Sequence, residues 1–204
     1  MIKQPEEGEI WEWRAFGVVS EELAAQVHSY PIRMSLIDIE GEDIYFIAPH
    51  SNHNIKLRKQ DDRWLLKFKL LLGGAPGSAE LYNEGAAYTY SFPVGRNTVR
   101  SAAGLLRVSL KETPDSELLA DQLIHALENS SPPVSCAYVK KRRSQFEFDG
   151  GWLELADVQF AKQRTQSISI HSPDRETVEL MLQRLALDAR WQVMNYVEAC
   201  RRWA

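Results

Sequence analysis

The sequence predicts an α+β fold in which an antiparallel sheet curls into a closed barrel and helices pack on its outside. Three observations carry this expectation. Segments with strand-type alternation outnumber those with helical periodicity. They follow one another as strands, helix, strands, helix, with no visible internal repeat. A sheet with this many antiparallel strands is stabilised by closure, because closure removes its edges. With 204 residues, 44% hydrophobic and 25% charged, the chain suits a single domain over residues 1–204.

Glu9 to Gly17, "EIWEWRAFG", alternates as a strand with Trp11 and Trp13 on one face and Ile10, Glu12 and Arg14 on the other. Ser20 ahead of "EELAAQV" is an N-cap followed by acids in the first turn, so a short helix comes next. "RMSLIDIEGEDIYFIAP" holds strand-forming runs broken at Glu40–Glu42 and ended by Pro49. Asn54 to Leu70, "NIKLRKQDDRWLLKFKL", reads as a hairpin about a polar turn. "GGAPGS", Gly73 to Ser78, reads as a flexible loop, "EGAAYTYSFPV" as a strand, and Gly95 to Lys111 takes no clear assignment.

Thr113-Pro114 opens a helix through "DSELLADQLIHALENS", with Leu119, Leu123 and Leu127 on one stripe, and "SSPP" stops it. The strands "VSCAYVKKRRSQFEF" and "GWLELADVQF" turn at Asp149-Gly150-Gly151, and "TQSISIH" makes a short strand. From Ser172-Pro173 a helical run covers about 173–203, broken near Asp188. Leu180, Leu185, Trp191, Met194 and Val197 there suit packing on the protein's own sheet or a contact between two copies as a homodimer.

Parity places the charges. Lys56 and Arg58 oppose Ile55 and Leu57, while Lys67 and Lys69 oppose Leu66, Phe68 and Leu70. Lys141, Arg143, Gln145 and Glu147 alternate against Tyr138, Phe146 and Phe148, with Lys140 and Arg142 turned to solvent. A solvated face would explain the alternation. It does not explain why the charges on that face share one sign, which a site for a local anion would. Trp11, Trp13 and Trp64 read as core between barrel and helices, and His50 and His53 as parts of a polar turn.

Several classes are excluded. No apolar run approaches the ~20 residues that cross a bilayer, and a net charge of -4 argues against duplex nucleic acid. Cys136 and Cys200 are the only cysteines, so there is no disulfide framework. The first residues have no signal-like apolar core, which makes a cytoplasmic location the default expectation. Neither a GxxxxGK[ST] loop, nor GxGxxG, nor a Ser-His-Asp arrangement is present.

In order along the chain, "IWEWR", "DIYF" (Asp43 to Phe46), "IKLRK", "WLLKFK", the pair Lys141 and Arg143, and "LELADV" resemble the strand motifs of the CYTH family, the triphosphate tunnel metalloenzymes. That resemblance implies eight antiparallel strands around a basic tunnel that grips a triphosphate, with Mg²⁺ or Mn²⁺ held by acids inside. Carried over by position, Arg14, Lys56, Arg58, Lys67, Lys69, Lys141 and Arg143 would bind phosphate, and Glu12 and Glu154 would bind the metal. The departures fall on acids. Ile10, Ala156, Ser167 and Ser169 stand where the family has carboxylates, Thr89 and Ser91 are the inward positions of a strand that usually carries acids, and Asp157 and Glu147 are the remaining extras. The resemblance therefore implies a protein that binds a triphosphate, nucleotide or other phosphorylated small molecule, with weakened or absent catalysis. The alternative is a metal-dependent triphosphatase.

Overall fold

The computed structural model describes residues 8–204 except Pro76, Thr113, Pro114 and Ala186. Its strands are β1 (Gly8–Gly17), β2 (Met34–Ile47), β3 (Asn54–Gln60), β4 (Arg63–Gly73), β5 (Glu80–Glu84), β6 (Thr89–Ser91), β7 (Ser135–Phe148), β8 (Gly151–Gln159), β9 (Arg164–Ser172) and β10 (Gln192–Val193). The helices are α1 (Glu21–Ser29), α2 (Arg96–Leu106), α3 (Ala120–Glu128), α4 (Arg175–Leu185) and α5 (Tyr196–Trp203). Eight strands close an antiparallel ring in the order β1-β5-β4-β3-β2-β7-β8-β9, and β9 pairs back onto β1 through Trp11↔Ser172 to Gly17↔Gln166. The five-residue β5 covers only part of its neighbours. β6 pairs Leu65 to Lys67 of β4, and β10 pairs Ala15 and Phe16 of β1, so each extends a partner beyond the reach of β5.

The sheet is inverted relative to an ordinary barrel: its apolar side faces out and helices cover it. α2 and α3 bury Val99, Ala102, Leu106, Leu123 and Leu127 against Ile44, Phe46, Ile55, Leu57 and Leu66. α1 and α4 bury Leu23, Val27, Val178, Met181 and Leu185 against Trp13, Ala15, Phe146, Leu153, Ile168 and Ile170. Each such side chain contributes about 1.5–3 kcal/mol by leaving water, which offsets the cost of a polar interior. Trp11 packs at the edge of the second cluster and Trp64 at the edge of the first, as the sequence suggests. A third cluster lies inside the ring. Phe16, Tyr45, Ala137, Val139, Ala156 and Val158 fill one end of the barrel beneath Tyr196, Ala199 and Cys200 of α5. The interior is therefore blind at that end.

Several local expectations are corrected. β2 runs unbroken through Glu40–Glu42, because Glu40, Gly41 and Glu42 pair with Arg142, Lys141 and Lys140 of β7 and Lys140 lies 3.5 Å from Glu42. Opposite charges across the strands favour the pairing. The irregularity falls instead between Leu36 and Ile39, where Asp38 has φ 55°. The 113–114 start proposed for the second helix lies outside the described residues. The helix begins at Ala120, since Leu118 is held in a two-way backbone bridge with Val94. Leu119 is consequently a half-exposed N-cap, and only Leu123 and Leu127 of the expected stripe are buried.

Gly95 to Lys111, unassigned from sequence, contains α2. "EGAAYTYSFPV" yields the last residue of β5, a 3-10 turn at Ala86–Tyr88 and the three residues of β6. The C-terminal run is α4 and α5 separated by β10. Tyr138, expected on the packed side, is exposed, while its neighbours Ala137 and Val139 are buried inside the ring. Ser20 does cap α1, its Oγ accepting from Leu23 N–H at 3.1 Å. The hairpin turn places Asp61 and Asp62 at φ 47° and 61°, the paired left-handed geometry of a two-residue turn that matches strand twist.

Candidate functional site

Glu12, Arg14, Lys56, Arg58, Lys67, Lys69, Lys141, Arg143 and Glu154 all line one hollow of about 450 Å³ inside the ring. Five strands supply them, and period-two alternation turns each toward the axis. Lys56 and Lys67 stand directly opposite each other across β3 and β4. Such like-charge pairing is unfavourable, so the tunnel cations have to be compensated from elsewhere.

Toward the blind end the compensation is Asp43, which sequence reading did not place in the site. Arg58 grips it with both Nε (2.8 Å) and Nη2 (2.9 Å), and Lys141 Nζ donates to it at 2.7 Å and to Tyr45 Oη at 2.6 Å. Lys56 Nζ lies 3.6 Å from the same carboxylate. Burial would raise the Asp43 carboxyl, but Lys141, Lys56 and Arg58 outweigh it and hold it well below the usual range. Burial pushes Lys141 down to about 8 against the pull of Asp43. Burial, together with Arg58 and Lys141, also depresses Lys56 well below an ordinary lysine.

The second knot of charges joins β1, β4, β5, β7, β8 and β9. Arg14 donates through Nε to Glu12 (2.8 Å) and through Nη1 to Glu154 (3.4 Å) and Ser167 Oγ (3.3 Å). Lys69 Nζ bonds Glu12 and, at 3.1 Å, Glu84. Gln145 Nε2 donates to Glu154 at 3.0 Å, and Arg143 Nη1 lies 3.7 Å from it. Burial would raise both glutamates. Lys69 and Arg14 nonetheless hold Glu12 well below its usual range, and Arg14 and Arg143 bring Glu154 down to about 2. Tyr196, from α5, closes the floor with its ring 3.6 Å from Lys141 Nζ and 4.5 Å from the Arg14 guanidinium carbon.

His171 shares the inward parity of Ser167 and Ser169. Its Nε2 contacts Ser169 Oγ at 3.0 Å and its ring stacks on Trp152 with centroids 4.8 Å apart. Burial, with Lys69 and Arg14 against Glu12, pushes it down to about 4, so the imidazole is neutral. Of the extras suggested by sequence, Asp157 lies on the outer face bonded to Arg142, while Thr89, Ser91 and Glu147 do not line the hollow. His53 accepts the Leu71 N–H at Nδ1 and serves its turn.

The acids do not suit a divalent cation. Both oxygens of Glu12 bond cationic side chains, and both of Glu154 are engaged by Arg14 and Gln145. The two carboxylates proposed as metal ligands are thus bridged by the guanidinium of Arg14. Among the described residues no three His, Cys, Asp or Glu side chains are grouped to hold a metal ion. Hard cations need open carboxylate oxygens, and here cations of the chain itself take them.

Solved structures share the closed ring of eight antiparallel strands. A proposed adenylate cyclase from Bacillus halodurans superposes with a TM-score of 0.52 at 13% identity, over 94% of this chain and 98% of that one. The chain has the CYTH-type tunnel fold. A proposed adenylyl cyclase from Hippeastrum, HpAC1, described as having a dominant triphosphatase activity, matches at 0.50 and 12% identity over 96% of both chains. A conserved hypothetical protein from Pyrococcus furiosus matches at 0.50 and 16% identity, over 93% of this chain and 98% of that one. No protein-family model and no curated protein matches the sequence. Among the described residues no helix of the tunnel protein is long and apolar enough to cross a membrane.

Sequence reasoning missed Asp43, Glu84, His171 and Tyr196 as parts of the tunnel. Asp43 and His171 had the right parity on predicted strands. Glu84 was read as the start of a strand running to Val94, whereas it ends β5, and nothing local marks Tyr196.

Proposed function

We propose that this chain binds a triphosphate or another phosphorylated small molecule in its basic tunnel, with little or no catalysis. One observation carries the reading. Seven Lys and Arg side chains converge on the hollow and outnumber the carboxylates set beside them, Glu12, Asp43, Glu84 and Glu154. A triphosphate brings negative charge to such a surplus, and Arg forks and Lys ammoniums suit its oxygens. The depressed Lys56 and Lys141 have the same sense, since an entering polyanion favours their charged forms. The blind floor beneath Tyr196 admits a short chain of phosphates from the open end only.

No observation of the site favours the alternative, a metal-dependent triphosphatase, because the donor set leaves no open carboxylate pair. The deciding experiment is calorimetric titration with tripolyphosphate, ATP and thiamine triphosphate in chelator, beside phosphate-release assays in Mg²⁺ or Mn²⁺. Binding in chelator without turnover is expected. Metal-dependent turnover abolished by Glu12→Gln would establish the enzyme instead, and the absence of binding to all three would refute the tunnel as a phosphate site.

A further inference from the structure

Acids at the heart of an anion pocket oppose its ligand, so their retention there calls for a physical cause. Glu12 and Glu84 both bond the ammonium of Lys69, which β4 delivers from beside β5. Next to them His171 Nδ1 is buried, has no hydrogen-bond partner, and lies 3.6 Å from Glu12. Its ring is fixed from behind by Ser169 and from the side by Trp152. Two carboxylates about one positive centre are the arrangement that a hard divalent ion such as Mg²⁺ or Mn²⁺ would otherwise call for, with the imidazole nitrogen set against one of them. Here the positive centre is covalently part of the chain.

We propose that the Lys69 ammonium occupies the place of a divalent cation between Glu12 and Glu84, so that the tunnel takes its polyanion free of bound metal. This rests on the reading of the tunnel as a polyphosphate pocket. The substitution explains why the carboxylates remain: they position and neutralise Lys69, and removing them would add their buried counter-charges to an already cationic interior. It also sets the effect of free metal. A polyphosphate complexed with Mg²⁺ has lost part of its negative charge, and its metal would meet Lys69 and Arg14 as like charges. Divalent cations therefore compete with binding instead of supporting it.

The test uses native protein and one variant. Native protein is titrated with tripolyphosphate in chelator and again in excess Mg²⁺, and with Mn²⁺ alone by electron paramagnetic resonance. The Mn²⁺ titration is repeated on Lys69→Ala. Expected results are binding in chelator, weakening by about tenfold or more in Mg²⁺, no Mn²⁺ bound by native protein, and Mn²⁺ bound by Lys69→Ala once the ammonium between Glu12 and Glu84 is gone. Mn²⁺ held by native protein, tighter tripolyphosphate binding in Mg²⁺, or a folded Lys69→Ala that takes no Mn²⁺ each overturns the proposal. Should Lys69→Ala fail to fold, the native titrations decide. If native protein binds no tripolyphosphate under any condition, the pocket reading falls, while the Mn²⁺ titrations still judge Lys69.

Discussion

Lys67 and Arg143 are the tunnel cations whose donors are least committed. Lys67 enters none of the ion pairs made by the other six among the described residues, and Arg143 Nε is buried without a partner while its nearest carboxylate stands 3.7 Å away. Both should hold ligand oxygens and little else. Replacing the two by alanine removes two charge-assisted bonds of ~1.5–3 kcal/mol each. Lys67 is partly open to solvent, which favours the lower end, so tripolyphosphate binding should weaken on the order of a hundredfold. Calorimetry in chelator measures this, with circular dichroism and a urea midpoint as the check on folding. The midpoint should hold or rise, since the change deletes repulsion among buried cations. Arg142→Ala, on the outer face and paired with Asp157, is the control and should bind as the native protein does. A folded double variant with native affinity would refute the assignment of this hollow as the anion site.

Binding should also weaken as pH rises above about 8, where Lys141 loses its proton, by up to about tenfold per pH unit. The stability contribution of the same lysine runs the other way. Its folded value is depressed below the unfolded one, so the unfolded chain binds more protons between about 8 and the ordinary lysine value, and stability gains as pH climbs through that window. Parallel affinity and urea series across that range would separate the two, and a flat affinity profile would count against Lys141. Arg14→Ala strips Glu12 and Glu154 of their shared partner and should cost about 3 kcal/mol of unfolding free energy; a loss under about 1 kcal/mol would mean water replaces the guanidinium. Asp62→Gly relieves a left-handed residue in the β3–β4 turn and should raise stability by about 0.5–1 kcal/mol, read from the same urea transitions. A loss of stability would show that the Asp62 side chain holds the turn.

Much of the barrel was legible because alternation is local. "IKLRK" and "WLLKFK" state in their own residues which side chains share a face, and the six cations placed by parity line the hollow together with Arg14, which the family resemblance supplied. Ser20 was equally legible, because a cap is settled within a few residues. α2 was not, since Gly95, Ser101 and Gly104 obscure its periodicity and it becomes a helix by burying Val99, Ala102 and Leu106 on β2–β4. Glu40–Glu42 read as a break because their compensating charges, Lys140 and Arg142, lie about a hundred residues away.

By itself, then, the sequence determined which residues are cationic, which alternate, and which face each strand offers to water or to helices. Tertiary structure alone decided that the cationic faces close on one another, that Tyr196 floors the space, and that Lys69 and Arg14 reach the carboxylates a metal would need. Parity is a property of neighbouring residues, whereas charge compensation depends on distances set only when β1 meets β9 and the ring shuts.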